Sequence, residues 1–79
     1  MNLYLISQTI NHGYDTYDSA VVAAVSEDSA RSIHPGGGDW DGKFESYGAW
    51  CAKEDVNVRI IGTAADDISG VVCSSFNAG

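Results

Sequence analysis

Apolar residues crowd at Leu3-Tyr4-Leu5-Ile6 and give way to polar ones from Ser7, which predicts a first strand over residues 3–9. Residues 11–18 then read as a loop. The run Ser19-Ala20-Val21-Val22-Ala23-Ala24-Val25 is continuous, small and β-branched, so it suits a central strand covered on both faces and paired with the first. Ser26 has the chemistry of a helix N-cap, Glu27 and Asp28 complement the dipole of a first turn, and Arg31 and His34 fall towards the far end before Pro35 stops the helix. Residues 35–55 show no period. Val56, Val58 and Ile60 alternate with Asn57 and Arg59, as in a strand with one wet face. A single helical turn at 66–69, closed by Gly70, and a last strand at 71–76 complete the pattern.

The resulting order is β-β-α-β-β. A mainly antiparallel four-stranded sheet with one short helix packed across a face, a two-layer α+β fold, buries these segments with the fewest elements. At 79 residues the chain makes one domain, and a domain of that size buries only about 60–65% of the surface its unfolded form exposes. The segment 35–55 is long for a loop in so small a domain. It opens with Gly36-Gly37-Gly38 and carries Trp40, Phe44, Tyr47 and Trp50, so its aromatics are expected to fold it back as a lid over one end of the core.

Eleven Asp and Glu against four Lys and Arg give a formal net charge of -7. Nucleic-acid phosphates and anionic membranes repel such a chain, so direct nucleic-acid binding is disfavoured. The acidity serves solubility or presents a face to a basic partner. Met1-Asn2-Leu3-Tyr4 lacks a basic leader, and no run approaches the ~20 apolar residues that span a bilayer, so a cytoplasmic location is expected. Cys51 and Cys73 are then expected to be free thiols.

Catalytic and metal chemistry find little support. His12, His34, Cys51 and Cys73 lack the paired short spacings of structural zinc sites. The glycine run follows a helix instead of opening one, so it does not aim amides at a phosphate as a phosphate-binding turn does. Asp15/Asp18 and Asp39/Asp41 fit Asx turns at least as well as a hydrolytic carboxylate pair. The expectation is a protein that is not an enzyme and carries neither cofactor nor metal.

Binding is better motivated. Tyr14-Asp15-Thr16-Tyr17-Asp18 places two phenols and two carboxylates in a connection that two residues could close, and Trp40 lies in the long segment. Tyr14, Tyr17 and Trp40 are candidates to stack on a planar ligand, Asp15 and Asp18 with Thr16 to hold its hydroxyls, and Arg31 with His34 to meet its polar or charged end. Only Arg31, Lys43, Lys53 and Arg59 are available for phosphate, so a multiply charged ligand calls for cations pooled between protomers of a homo-oligomer. Packing of the same rings into core and lid explains them equally well.

Tyr14-Asp15-Thr16-Tyr17-Asp18-Ser19-Ala20-Val21-Val22, then Ala30-Arg31 and Ile33-His34-Pro35, and finally Ser75-Phe76-Asn77-Ala78-Gly79, resemble blocks of a family of small uncharacterised proteins of tailed bacteriophages and prophages. The resemblance covers nearly the whole chain except 36–55. It implies a phage origin and supplies no catalytic residues. By analogy with other small accessory phage proteins, it implies action in the host bacterial cytoplasm as a counter-defence protein. Such a protein sequesters a nucleotide-derived immune signal or, alternatively, inhibits a host defence nucleoprotein in the manner of an anti-CRISPR. A phage structural or assembly module that joins another chain through an edge strand is the third expectation.

Overall fold

The computed structural model describes residues 1–44 and 48–78. Its elements are β1 (Asn2–Ser7), β2 (Thr16–Ala24), α1 (Glu27–Arg31), β3 (Asn57–Thr63) and β4 (Gly70–Asn77), with a 3-10 turn at Lys53–Asp55 before β3. The strands form one antiparallel sheet in the order β3-β1-β2-β4, so the fold is the small α+β arrangement expected from the pattern. Among the described residues, no helix is long and apolar enough to cross a membrane.

β1 and β2 pair without interruption from Asn2↔Ala24 to Ser7↔Ser19. That register sets Tyr4 and Ile6 beside Val22 and Ala20, and these four residues belong to one buried cluster. A one-residue slip would turn all of them to the opposite face. Ala30 of α1 and Trp50, Cys51 and Val56 close the cluster from above. Ser26 caps α1 by accepting a hydrogen bond from the Ser29 amide, and Glu27 and Asp28 occupy the first turn.

Five expectations need correction. β1 stops at Ser7, because the Gln8 side chain turns the chain by accepting from the amides of Ile10 and Asn11 at 2.8 and 2.7 Å. β2 begins at Thr16, so Thr16, Tyr17 and Asp18 are strand residues; Thr16 and Tyr17 pair with Asn77 and Phe76 across β4, and Asp18 is accommodated in a bulge. α1 ends at Arg31, four residues before Pro35, and 66–69 forms a tight turn, with the Ile68 amide bonded to the Ala65 carbonyl, instead of a helical turn. Finally, β2 is central, but among the described residues α1 and the 48–52 segment pack on one sheet face. Leu5, Val21 and Cys73 share the other face around a shallow cavity of about 160 Å³.

The long segment does fold back. Trp50 enters the core, Trp40 packs against it and Phe44 is exposed, while Tyr47 lies outside the described residues. Gly37 and Gly38 both hold φ near +80°, a left-handed conformation that favours glycine, which explains why a glycine run follows the helix.

Candidate functional site

A recess lies where the start of β2, the residues after α1 and the returning long segment meet. Its volume is about 240 Å³, and His34, Trp40, Lys43, Phe44, Gly48, Ala49, Trp50 and Cys51 line it. Its construction starts with Gln8, a buried amide whose hydrogen-bonding groups are fully engaged. Its Nε2 donates to the carbonyls of Asn11 and Tyr17 at 2.7 and 3.0 Å, and its Oε1 accepts the two turn amides. The turn presents Asn11, whose Nδ2 donates to the carbonyls of Gly48 and Trp50 at 3.1 and 3.0 Å. The Tyr17 amide donates to the Ala49 carbonyl at 2.7 Å. These bonds clip the 48–50 stretch beside the start of β2, beyond the last β1–β2 pair, and seat the Trp50 ring in the core.

An aromatic series leads from β2 and β4 to the wall. Tyr17 packs on Phe76 with ring centroids 4.8 Å apart and meets His34 edge-on at 6.0 Å, and His34 meets Trp40 edge-on at 5.6 Å. Both edge-on contacts have the geometry that aromatic quadrupoles favour. His34 Nδ1 accepts from the Gly36 amide at 2.9 Å, so in the neutral ring the proton sits on Nε2. Trp40 is oriented by its own Nε1, which donates to the Lys43 carbonyl at 3.1 Å; the Lys43 amide in turn donates to Asp41 Oδ1 at 3.0 Å. Gly42 holds φ +82° and its carbonyl accepts from the Lys53 amide at 2.7 Å, which anchors this arm to the 3-10 turn.

Two buried groups at the recess bear on its chemistry. Trp50 is 2% exposed, and its Nε1 has no hydrogen-bond partner among the described residues. An unmade hydrogen bond of this kind costs about 1–3 kcal/mol. Burial, reinforced by the charges of Asp55 and Glu54, pushes the Cys51 thiol up to about 11, away from the thiolate that nucleophilic chemistry requires.

The residues singled out in the sequence divide. His34 and Trp40 come together in the wall, and Tyr17 packs edge-on against His34 without lining the recess itself. Tyr14 is 80% exposed on the turn ahead of β2, beside exposed Asp15, whose φ of +59° and amide bond to the Asn77 carbonyl at 2.6 Å mark a fixed corner. Thr16 is buried, and its Oγ1 donates to the Gly13 carbonyl at 2.6 Å, a bond internal to the turn. Asp18 is exposed at the β2 bulge. Arg31 points elsewhere: its Nη1 donates to the Val56 carbonyl at 2.6 Å and ties α1 to the entry of β3. Lys43 is therefore the one cationic side chain among the residues that line the recess.

Gln8 and Asn11 carry the architecture of the site yet stand out in no sequence pattern, since each acts through bonds to backbone brought near by the fold. Among the described residues, no group of three or more His, Cys, Asp or Glu side chains could hold a metal ion, and both cysteines are free, Cys51 buried and Cys73 exposed. The chain matches no protein-family model, no curated protein and no solved structure.

Proposed function

We propose that this is a non-catalytic binding protein that captures a nucleotide-derived molecule by its base in the recess walled by His34, Trp40 and Trp50. The observation that carries the reading is a recess lined by the rings of His34, Trp40, Phe44 and Trp50 with one lysine, Lys43, among its lining residues. Ligand pockets of about 300–1,000 Å³ hold drug-sized molecules. At about 240 Å³ this one suits a single planar heterocycle, with the rest of the ligand extending outside. The heterocycle lies against the Trp40 and His34 rings, and Lys43 meets one anionic group beyond it. The raised Cys51 thiol and the engagement of His34 Nδ1 with backbone both speak for holding over turnover. Joined to the phage resemblance, the reading becomes a counter-defence protein that sequesters a nucleotide immune signal in the host cytoplasm.

A second reading rests on a separate observation: every Asp and Glu among the described residues is exposed. An acidic surface of this kind suits a basic groove on a host defence nucleoprotein, and association through it weakens steeply with salt. Titration of intrinsic tryptophan fluorescence with AMP, cyclic mononucleotides and cyclic dinucleotides separates the two. Saturable quenching at moderate salt supports capture. An unchanged spectrum across the panel, beside a salt-sensitive protein partner recovered by pull-down, supports the acidic inhibitor.

A further inference from the structure

The rings and the charges at the recess favour the same kind of ligand. His34, Trp40, Phe44 and Trp50 line it, and an aromatic ring carries negative charge on its face, so a planar cation gains from such surroundings what a neutral ring of the same shape does not. Carboxylates stand close by. Glu54 and Asp55 are exposed on the 3-10 turn, and their charge reaches Cys51 in the recess, where it adds to burial in raising the thiol. Lys53 belongs to the same turn, which stays net negative with one cation against two anions. Asp41 lies in the arm that carries Trp40, its Oδ1 fixed on the Lys43 amide. The whole chain, at -7, extends this negative field.

We infer that the recess selects a nucleotide whose base is itself a cation, a pyridinium or an N-alkylated purine, and which carries a single phosphate. This rests on the reading of base capture and narrows it to one class of ligand. Lys43 is the one lysine or arginine among the lining residues, which matches one phosphate and not a polyphosphate chain. Such a ligand is a zwitterion. Its ring enters among the aromatic side chains and the carboxylate field, while its phosphate stays with exposed Lys43. The volume of about 240 Å³ admits the ring and leaves ribose and phosphate outside. The acidity of the chain then acts as a filter: it repels nucleotides in general and accepts one whose inserted end is positive.

Calorimetric titration at pH 8 with nicotinamide mononucleotide and with its reduced form tests the inference, because the two share ribose and phosphate and differ by one positive charge on the ring. AMP supplies a neutral base. The oxidised form is expected to bind about tenfold tighter than the reduced form, the factor that a partly desolvated cation–π contact gives. E54Q/D55N is expected to narrow that ratio and W40L to bring it close to unity, both with native circular dichroism. Equal or tighter binding of the reduced form overturns the inference, as does a ratio unchanged in both folded variants. Should W40L unfold, the ratio in E54Q/D55N decides. AMP bound as tightly as the oxidised mononucleotide overturns the preference for a cation and leaves base capture standing. Absence of binding by all three overturns the inference, and absence across cyclic mononucleotides and dinucleotides as well removes base capture with it.

Discussion

The Tyr14-Asp15 corner and the Tyr17 strand position lie three residues apart and carry the same residue types, yet the fold gives them opposite environments. Tyr14 stands in solvent on a turn held by backbone bonds, while Tyr17 is half-buried between Phe76 and His34 at the head of an aromatic series. The difference arises from what returns to each place. Asn11 and the Tyr17 amide draw the 48–50 stretch against β2, and among the described residues nothing comparable covers Tyr14. Polar and aromatic composition alone therefore does not make a site; a second segment has to be tied across it.

Substitutions that remove the tie break this comparison most strongly. W50A empties a buried position of the core cluster and is expected to cost about 3–5 kcal/mol, read from urea unfolding. Q8A leaves the Ile10 and Asn11 amides without their acceptor and loosens the turn that presents Asn11. The expected cost is about 1–3 kcal/mol, with loss of amide-exchange protection at Tyr17, whose amide bonds to Ala49.

A pH titration sharpens the same contrast through Cys51. Its folded value of about 11 lies above the ordinary 9.0, so the folded state holds the proton more tightly than the unfolded chain does. The contribution is complete below pH 9 and is lost as pH rises towards 11. Unfolding midpoints are expected to fall across that window in the wild type and to fall less in C51A. Thiol titration at neutral pH should show exposed Cys73 reacting quickly and buried Cys51 slowly. At the small end, Y14A should shift stability by no more than about 0.5 kcal/mol, as for an isolated surface side chain.

The division between these regions also marks what the sequence could disclose. Apolar runs at 3–6 and 19–25, the Ser26 cap and the alternation at 56–60 are local signals, and each locates an element of the sheet or its helix. Thr16 and Tyr17 read as loop because their pairing partners, Asn77, Phe76 and Ala49, lie far along the chain. Arg31 reads as a phosphate ligand for the same reason: the Val56 carbonyl that occupies it arrives only through tertiary packing. Of the recess, His34 and Trp40 are suggested by residue type, as is Tyr17 packed beside His34, whereas the contribution of Gln8 and Asn11 exists only once the turn and the returning segment are in place.

The most direct test of ligand capture in the recess compares W40A and Y14A in fluorescence titrations with the nucleotide that binds the wild-type protein best, using Trp50 as the remaining reporter in W40A. Base-aromatic stacking is worth about 1–3 kcal/mol by alanine substitution. W40A is therefore expected to weaken binding by about tenfold or more while its circular dichroism stays native, and Y14A to bind as the wild type does. Full affinity in folded W40A, with loss of binding in Y14A, would contradict capture in the recess and move the site to the exposed corner.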